Sequence, residues 1–79
     1  MTKFISAPTT TLLVEQDDAK AEEATRVLKQ FPNATVERVG TQEEAANTLL
    51  NSPTSKYDQV CVEGQVWTPI QALQMWGAL

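Results

Sequence analysis

The sequence predicts an α/β fold, a small three-layer β-α-β-α-β-α unit with a three-stranded, mostly parallel sheet in the order 2-1-3. Two observations lead to this fold class. Short apolar, β-branched runs alternate with segments of helical periodicity, and two of those segments begin with capping boxes. Such alternation indicates right-handed crossovers and helices on both faces of the sheet. With 79 residues, 42% of them apolar, the chain can build a single domain over residues 1–79.

The first strand–helix unit begins with an apolar run at residues 9–15 that ends in acidic residues, as a buried strand and a polar loop would. Asp17 or Asp18 is expected to cap the helix that follows. Apolar residues recur along this helix with a spacing typical of an amphipathic helix, and they form its predicted buried stripe: Ala24, Val27, Leu28 and Phe31. Pro32 then ends the helix.

The second unit is predicted as a short, partly exposed strand from Ala34 to Val39, followed by a helix. Thr41 and Glu44 are three residues apart, which is the spacing of a capping box, and they place the start of this helix. Its predicted buried stripe consists of Ala45, Ala46, Leu49 and Leu50.

The third unit starts with a strand predicted from Tyr57 to Glu63. Its three consecutive apolar residues, 60–62, indicate burial on both faces and therefore a parallel strand. A turn at Gly64-Gln65 leads to a second capping box at residues 68–71, with proline at the first helical position, and to a helix that reaches about Trp76. Near the N-terminus, Phe4 and Ile5 are compatible with an extra edge strand, which Pro8 disfavours.

Two runs of residues carry a resemblance to a known family. The run from Leu12 to Asp18, Leu-Leu-Val-Glu-Gln-Asp-Asp, resembles the first strand and acidic loop of a receiver domain, the phosphoaccepting module of bacterial response regulators. The run from Tyr57 to Glu63 resembles the third strand, which ends in the phosphoaccepting aspartate. The turn at residues 40–45 is similar to the receiver's turn into its second helix. The resemblance covers about residues 10–76 and corresponds to the N-terminal half of a receiver.

The resemblance implies a degenerate pseudo-receiver. Its metal-binding acid pair falls on Glu15 and Gln16, and its phosphoacceptor falls on Glu63. Gln16 removes one charge, which Asp17 could supply from the next position, so the implied metal ligands are Glu15, Asp17 and Glu63. The receiver's later strands, with the switch Ser or Thr and the phosphoryl-reading Lys, have no counterpart, and we expect no ordinary signal relay. Helix capping and solvated loop acids explain the same residues from the sequence alone.

Several classes of function are disfavoured. The chain has no histidine, and its single cysteine, Cys61, lies in an apolar run typical of a buried, unreactive thiol. The net charge is −4, and five of the six basic residues lie at or before Arg38, which is unlike a nucleic-acid groove. No segment has the ~20 apolar residues that a membrane span needs. We therefore expect a cytoplasmic protein that is not an enzyme, needs no cofactor and binds neither nucleic acid nor membranes.

The C-terminal segment, residues 66–79, is the best candidate for a binding surface, because it holds both tryptophans and almost no charge. Ile70, Leu73 and Trp76 share one helical face, which is expected to pack on the sheet, whereas Trp67 and Met75 fall outside that face. The third strand is expected to expose an apolar edge at which copies of the chain could pair. The predicted partner-binding residues are Val60, Val62, Trp67, Ile70, Met75 and Trp76.

These features predict a non-enzymatic protein-binding module, a small regulator or inhibitor that docks on a larger protein through its C-terminal half. Compact acidic chains of this kind include the accessory proteins that phages and mobile elements use against host machinery, an association at the level of composition only. Two alternatives remain open. One is the pseudo-receiver with an acidic pocket that responds to metal or phosphoryl groups. The other is a structural homo-oligomer, such as a homodimer, joined along the last strand.

Overall fold

A computed structural model describes residues 9–31, 33–53 and 56–78. This part of the chain forms a mixed sheet with helices on both faces, so the predicted α/β class is confirmed. The strands are β1 (Thr9–Val14), β2 (Ala34–Val39), β3 (Gln59–Val62) and β4 (Gln65–Trp67), and the helices are α1 (Asp18–Leu28), α2 (Gln42–Leu50) and α3 (Pro69–Met75). The edge strand considered at Phe4 and Ile5 lies outside the described residues.

The sheet has four strands in the order β2-β1-β3-β4. As predicted, β1 lies between β2 and β3 and is parallel to both; Leu12, for example, pairs with Glu37 on one side and with Val60 on the other. The prediction of only three strands was wrong. β4 pairs antiparallel with β3, so that Val60 lies opposite Trp67 and Cys61 lies opposite Val66. The third strand is therefore an inner strand, and its expected free edge is occupied by β4.

A two-residue turn joins β3 to β4 and so allows β4 to pair with β3 as a hairpin. The predicted turn at Gly64-Gln65 lies one residue earlier, at Glu63 and Gly64, and Val62 pairs with Gln65 across it. Both central residues have positive φ, 50° at Glu63 and 79° at Gly64, as a type I′ hairpin turn requires. The sequence signal was weak because the first central position holds Glu, whereas Asn, Asp or Gly is the usual residue there.

One face of the sheet carries α2 and α3 and the larger part of the core. Its buried residues come from two strands, two helices and the loop before β3: Leu12, Val14, Ala45, Tyr57, Val60 and Ala72. Trp67 and Trp76 are partly buried and pack against this cluster. Both tryptophans therefore contribute to the core, although Trp67 was expected to point away from it.

Among the described residues, the opposite face carries one helix, α1, which packs mainly against β1 and β2. The buried cluster here is small and consists of Leu13, Ala21 and Cys61, with Ala24, Leu28 and Val36 packed around it. The predicted stripe of this helix was partly wrong: Val27 is 54% exposed, and Phe31 lies beyond the helix end and is 69% exposed. Val27 is exposed because it lies on the flank of α1 that faces β3 and β4, where no helix is present among the described residues.

The predicted helix starts are confirmed. Asp17 caps α1 by accepting a hydrogen bond from the Lys20 amide, and Thr41 caps α2 by accepting one from the Glu44 amide. In α3 the capping box at Thr68 is complete. The described residues contain no helix that is long and apolar enough to cross a membrane.

Candidate functional site

The acidic loop after β1 was predicted as a metal or phosphoryl site, and its carboxylates are engaged in local structure. Asp17 accepts a 3.0 Å hydrogen bond from the Lys20 amide, and Glu15 accepts a 3.1 Å hydrogen bond from the amide of Asp17. The Lys20 amide hydrogen bond holds the pKa of Asp17 below its ordinary value of 3.8. Both acids thus stabilise the turn that starts α1.

Arg38, at the end of β2, reaches across to this loop. Its Nε donates to the Glu15 carbonyl oxygen at 2.9 Å, its Nη2 donates to the Gln16 carbonyl oxygen at 3.0 Å, and its Nη1 forms a 2.8 Å ion pair with Asp18. A guanidinium at this position satisfies backbone carbonyls that have no strand partner. It also places a fixed positive charge beside the acids, which opposes the binding of a cation. No local pattern in the sequence predicts this role of Arg38.

Glu63 lies in the hairpin turn at the end of β3. A small cavity of about 210 Å³ separates the loops at this edge of the sheet, and Glu15 and Glu63 both line it. Among residues 9–31, 33–53 and 56–78, however, no group of three or more His, Cys, Asp or Glu side chains could hold a metal ion. Glu15, Asp17 and Glu63 are therefore not assembled into the three-ligand set that the resemblance implied.

The six predicted partner-binding residues divide between the core and the surface. Val60 is completely buried in an inner strand and cannot contact a partner, which corrects that prediction. Three others are partly buried and pack against the core of the α2–α3 face, namely Val62, Trp67 and Trp76. Ile70 and Met75 are exposed, by 62% and 51% respectively. Ile70 was expected to pack on the sheet; in the structure its place in the core is taken by Ala72 beside Leu73.

An open groove lies on the other face, between α1 and the β3–β4 hairpin. We call it the α1–hairpin groove: a volume of about 810 Å³ lined by Glu15, Lys20, Glu23, Ala24, Val27, Leu28, Cys61, Glu63, Gly64 and Val66. Val27 and Val66 are its two exposed apolar side chains, one on each wall. Strand alternation explains the position of Val66, because it directs Val66 towards the α1 face and Trp67 towards the α2–α3 face.

The groove has an apolar floor and an acidic rim. Cys61 lies in the floor, 5% exposed, and burial raises the pKa of its thiol above the ordinary value of 9.0. Three carboxylates line the rim, Glu15, Glu23 and Glu63, against one ammonium, Lys20. A protonated, buried thiol is a poor nucleophile.

No protein-family model matches the chain, and neither a curated protein nor a solved structure matches it. Fold and site together define a class, a small α/β protein with two helices on one sheet face and an open apolar groove on the other. The resemblance to a receiver domain stays a prediction.

Proposed function

We propose that this protein is a non-enzymatic protein-binding module, a small regulator or inhibitor that docks on a larger protein through the α1–hairpin groove. One observation carries the proposal. Among the described residues no helix covers half of one sheet face, so that apolar side chains on α1 and on the hairpin border an open groove. Contiguous exposed apolar surface with a polar rim is typical of interaction sites.

Part of the C-terminal half, which was predicted to bind a partner, lines the groove. The C-terminal half contributes Cys61 and Val66 to it, while the tryptophans of that half pack against the core on the opposite face. Val66 was not among the predicted binding residues. The alternation of side chains along residues 65–67 would have predicted that Val66 faces α1. That prediction requires these residues to be assigned to a strand first.

The assignment of a non-enzymatic role is supported by what the reactive side chains contact. The carboxylates of Glu15 and Asp17 accept backbone hydrogen bonds in the loop before α1. The thiol of Cys61 is buried and has a raised pKa. The chain also has no histidine, which removes the commonest general base at neutral pH.

A second surface follows from the exposure of Ile70. This side chain borders a narrow cleft of about 110 Å³ between α2 and α3, which also includes Leu49, Pro53, Tyr57, Pro69 and Leu73. With Met75 it forms the exposed apolar part of α3. The α3 surface, meaning Ile70 and Met75, is the second candidate because it lies in the C-terminal segment that the sequence predicts as a binding surface.

Paired substitutions distinguish the two surfaces. Val66→Lys places a charge in the groove, and Ile70→Lys places the same charge at a similarly exposed position on α3. Proteins captured from the source cell by the immobilised wild-type chain should be lost with Val66→Lys and retained with Ile70→Lys. Capture that is retained with Val66→Lys and lost with Ile70→Lys would show that the α3 surface binds the partner. Capture that neither substitution changes, or no capture above that of a bare matrix, contradicts the proposal.

A further inference from the structure

The part of the sheet face that no described element covers is about as wide as one α-helix. Neighbouring strands are spaced at about 4.8 Å, so two strands present a strip roughly 10 Å wide, which is the diameter of a helix with its side chains. On the α2–α3 face, α2 packs over β1 and β2 while α3 packs over β3. On the other face, α1 covers β1 and β2, and the strip over β3 and β4 has no described element on it.

We infer that this groove accepts an amphipathic α-helix of a partner protein, with an apolar stripe flanked by Lys and Arg. The inference rests on the proposed function and names the chemistry of the partner. The apolar stripe would lie between Val27 on α1 and Val66 on β4, above Cys61. A helix seated there lies beside α1 and completes the helical layer over β3 and β4, where no described element is present.

The charge of the groove indicates which residues flank the apolar stripe of the partner helix. Three carboxylates and one ammonium line the groove, a net charge of −2 at neutral pH that agrees in sign with the −4 of the whole chain. Lys and Arg beside the apolar stripe would meet Glu15, Glu23 and Glu63, whereas acidic flanks would be repelled. Asn, Asp or Gly is the usual residue at the first central position of such a hairpin turn, but this position holds Glu63 at positive φ. Glu63 therefore supplies a long carboxylate side chain at the rim of the groove.

The same carboxylates favour one orientation. Glu15 and Glu63 follow the carboxyl ends of β1 and β3, at the edge of the sheet where α1 begins. The N-terminus of a helix carries a partial positive charge, so a partner helix is more stable with its N-terminus at this edge, parallel to α1. A second copy of this chain is disfavoured as the occupant, because two grooves face to face would bring their acidic rims together.

Two synthetic helical peptides test the inference. Both carry the same leucine stripe at i, i+3, i+4 and i+7; lysines flank it in one peptide and glutamates in the other. In titrations of the ¹⁵N-labelled full chain, the lysine peptide should bind at least about tenfold more tightly than the glutamate peptide at low salt. That preference should shrink as ionic strength rises. The backbone amide shifts should concentrate at Val27, Cys61 and Val66.

Variants provide the controls. Val66→Lys and, independently, Val27→Lys should each weaken binding of the lysine peptide about tenfold or more, since an unpaired charge would then lie in the apolar contact. Ile70→Lys, on the opposite face, should leave it unchanged. The charge reversal Glu23→Lys should reduce the preference for lysine flanks, and Glu43→Lys on α2 should not. A spin label at the peptide's N-terminus should broaden the resonances near Glu63.

Defined outcomes overturn the inference. Equal binding of both peptides, or shifts that map to α2 and α3, would remove the basic helix as the occupant. If the free chain dimerises and Val66→Lys abolishes the dimer, the occupant of the groove is a second copy of the chain. Lysine-peptide binding that appears only after residues 1–8 are deleted would make this segment the occupant. If neither peptide binds while protein capture still depends on Val66, the partner class fails and the proposed function stands.

Discussion

The hydroxyl of Tyr57 donates a 2.6 Å hydrogen bond to Oε1 of Glu37. Tyr57 precedes β3 and Glu37 lies on β2, and since β1 separates these strands, the bond ties the two flanks of the parallel sheet together. The tyrosine is 4% exposed and belongs to the core of the α2–α3 face. Lys56 completes the arrangement, with its Nζ 3.8 Å from Oε2 of Glu37 and 5.2 Å from the centre of the tyrosine ring.

Removal of the hydroxyl by Tyr57→Phe should lower the free energy of unfolding by about 1–2 kcal/mol, because the bond has a charged acceptor and joins distant strands. Urea denaturation followed by tryptophan fluorescence measures the loss. Glu37→Gln keeps an acceptor for the hydroxyl and should cost less. The double variant should cost less than the two single losses added, and strictly additive losses would show that the two side chains are not coupled.

Alkaline pH should destabilise the protein through the same residue. Burial, and then the hydrogen bond to the Glu37 carboxylate, raise the pKa of Tyr57 above its ordinary value of 10.0. The folded chain therefore binds the phenol proton more tightly than the unfolded chain. This contribution to stability is complete below pH 10.0 and is lost as the pH rises through the folded-state pKa.

Tyr57 is the single tyrosine of the chain, so the ultraviolet absorbance of its phenolate reports this pKa without overlap. Tyr57→Phe should flatten part of the alkaline decline in stability. The remaining part should come from Cys61, because burial raises its pKa as well. A phenol that titrates at or below its ordinary pKa in the folded protein would contradict the predicted direction.

The hairpin turn should respond in opposite directions to substitution at its two positions. Glu63→Asn introduces a residue that tolerates positive φ and should stabilise the fold by about 0.5–1 kcal/mol. Gly64→Ala should destabilise it by about 1 kcal/mol, although its Cβ would meet no atom within 4 Å, because φ is 79° there. Thermal unfolding measures both effects, with a higher melting temperature expected for Glu63→Asn and a lower one for Gly64→Ala. Equal melting temperatures for the two variants would argue against the type I′ turn.

The thiol of Cys61 should report on the groove. In the native protein it should react slowly with a thiol-specific reagent, because it is buried and mostly protonated at neutral pH. Val66→Ala, which trims the groove wall, should accelerate the reaction, whereas Ile70→Ala on the opposite face should not. A rate equal to that of a free thiol in the wild-type chain would mean that the floor of the groove is open.

Local signals in the sequence were sufficient for the helix starts and for the parallel core of the sheet. Asp17, Thr41 and Thr68 cap their helices as predicted, because capping is decided by bonds within one turn of the chain. The run around Val60 and Cys61 was assigned to a strand buried on both faces, and the two side chains do lie in the cores of opposite faces. Periodicity was less reliable for the stripe of α1, since it cannot tell which flank of a helix meets the sheet.

The candidate site depended on relationships that no local pattern contains. Arg38 reaches the β1–α1 loop from another strand, and Val66 lies across the groove from Val27 only because the hairpin folds β4 beside β3. The sequence alone determined an α/β chain with capped helices, because spacing and capping act over a few residues. The alternation of its strands and helices indicated the parallel β2-β1-β3 core, because right-handed crossovers restrict the order of the strands. Tertiary structure decided the fourth strand and left half of one face uncovered by any described element, because the pairing of β4 and the placement of the helices depend on contacts between residues far apart in the chain.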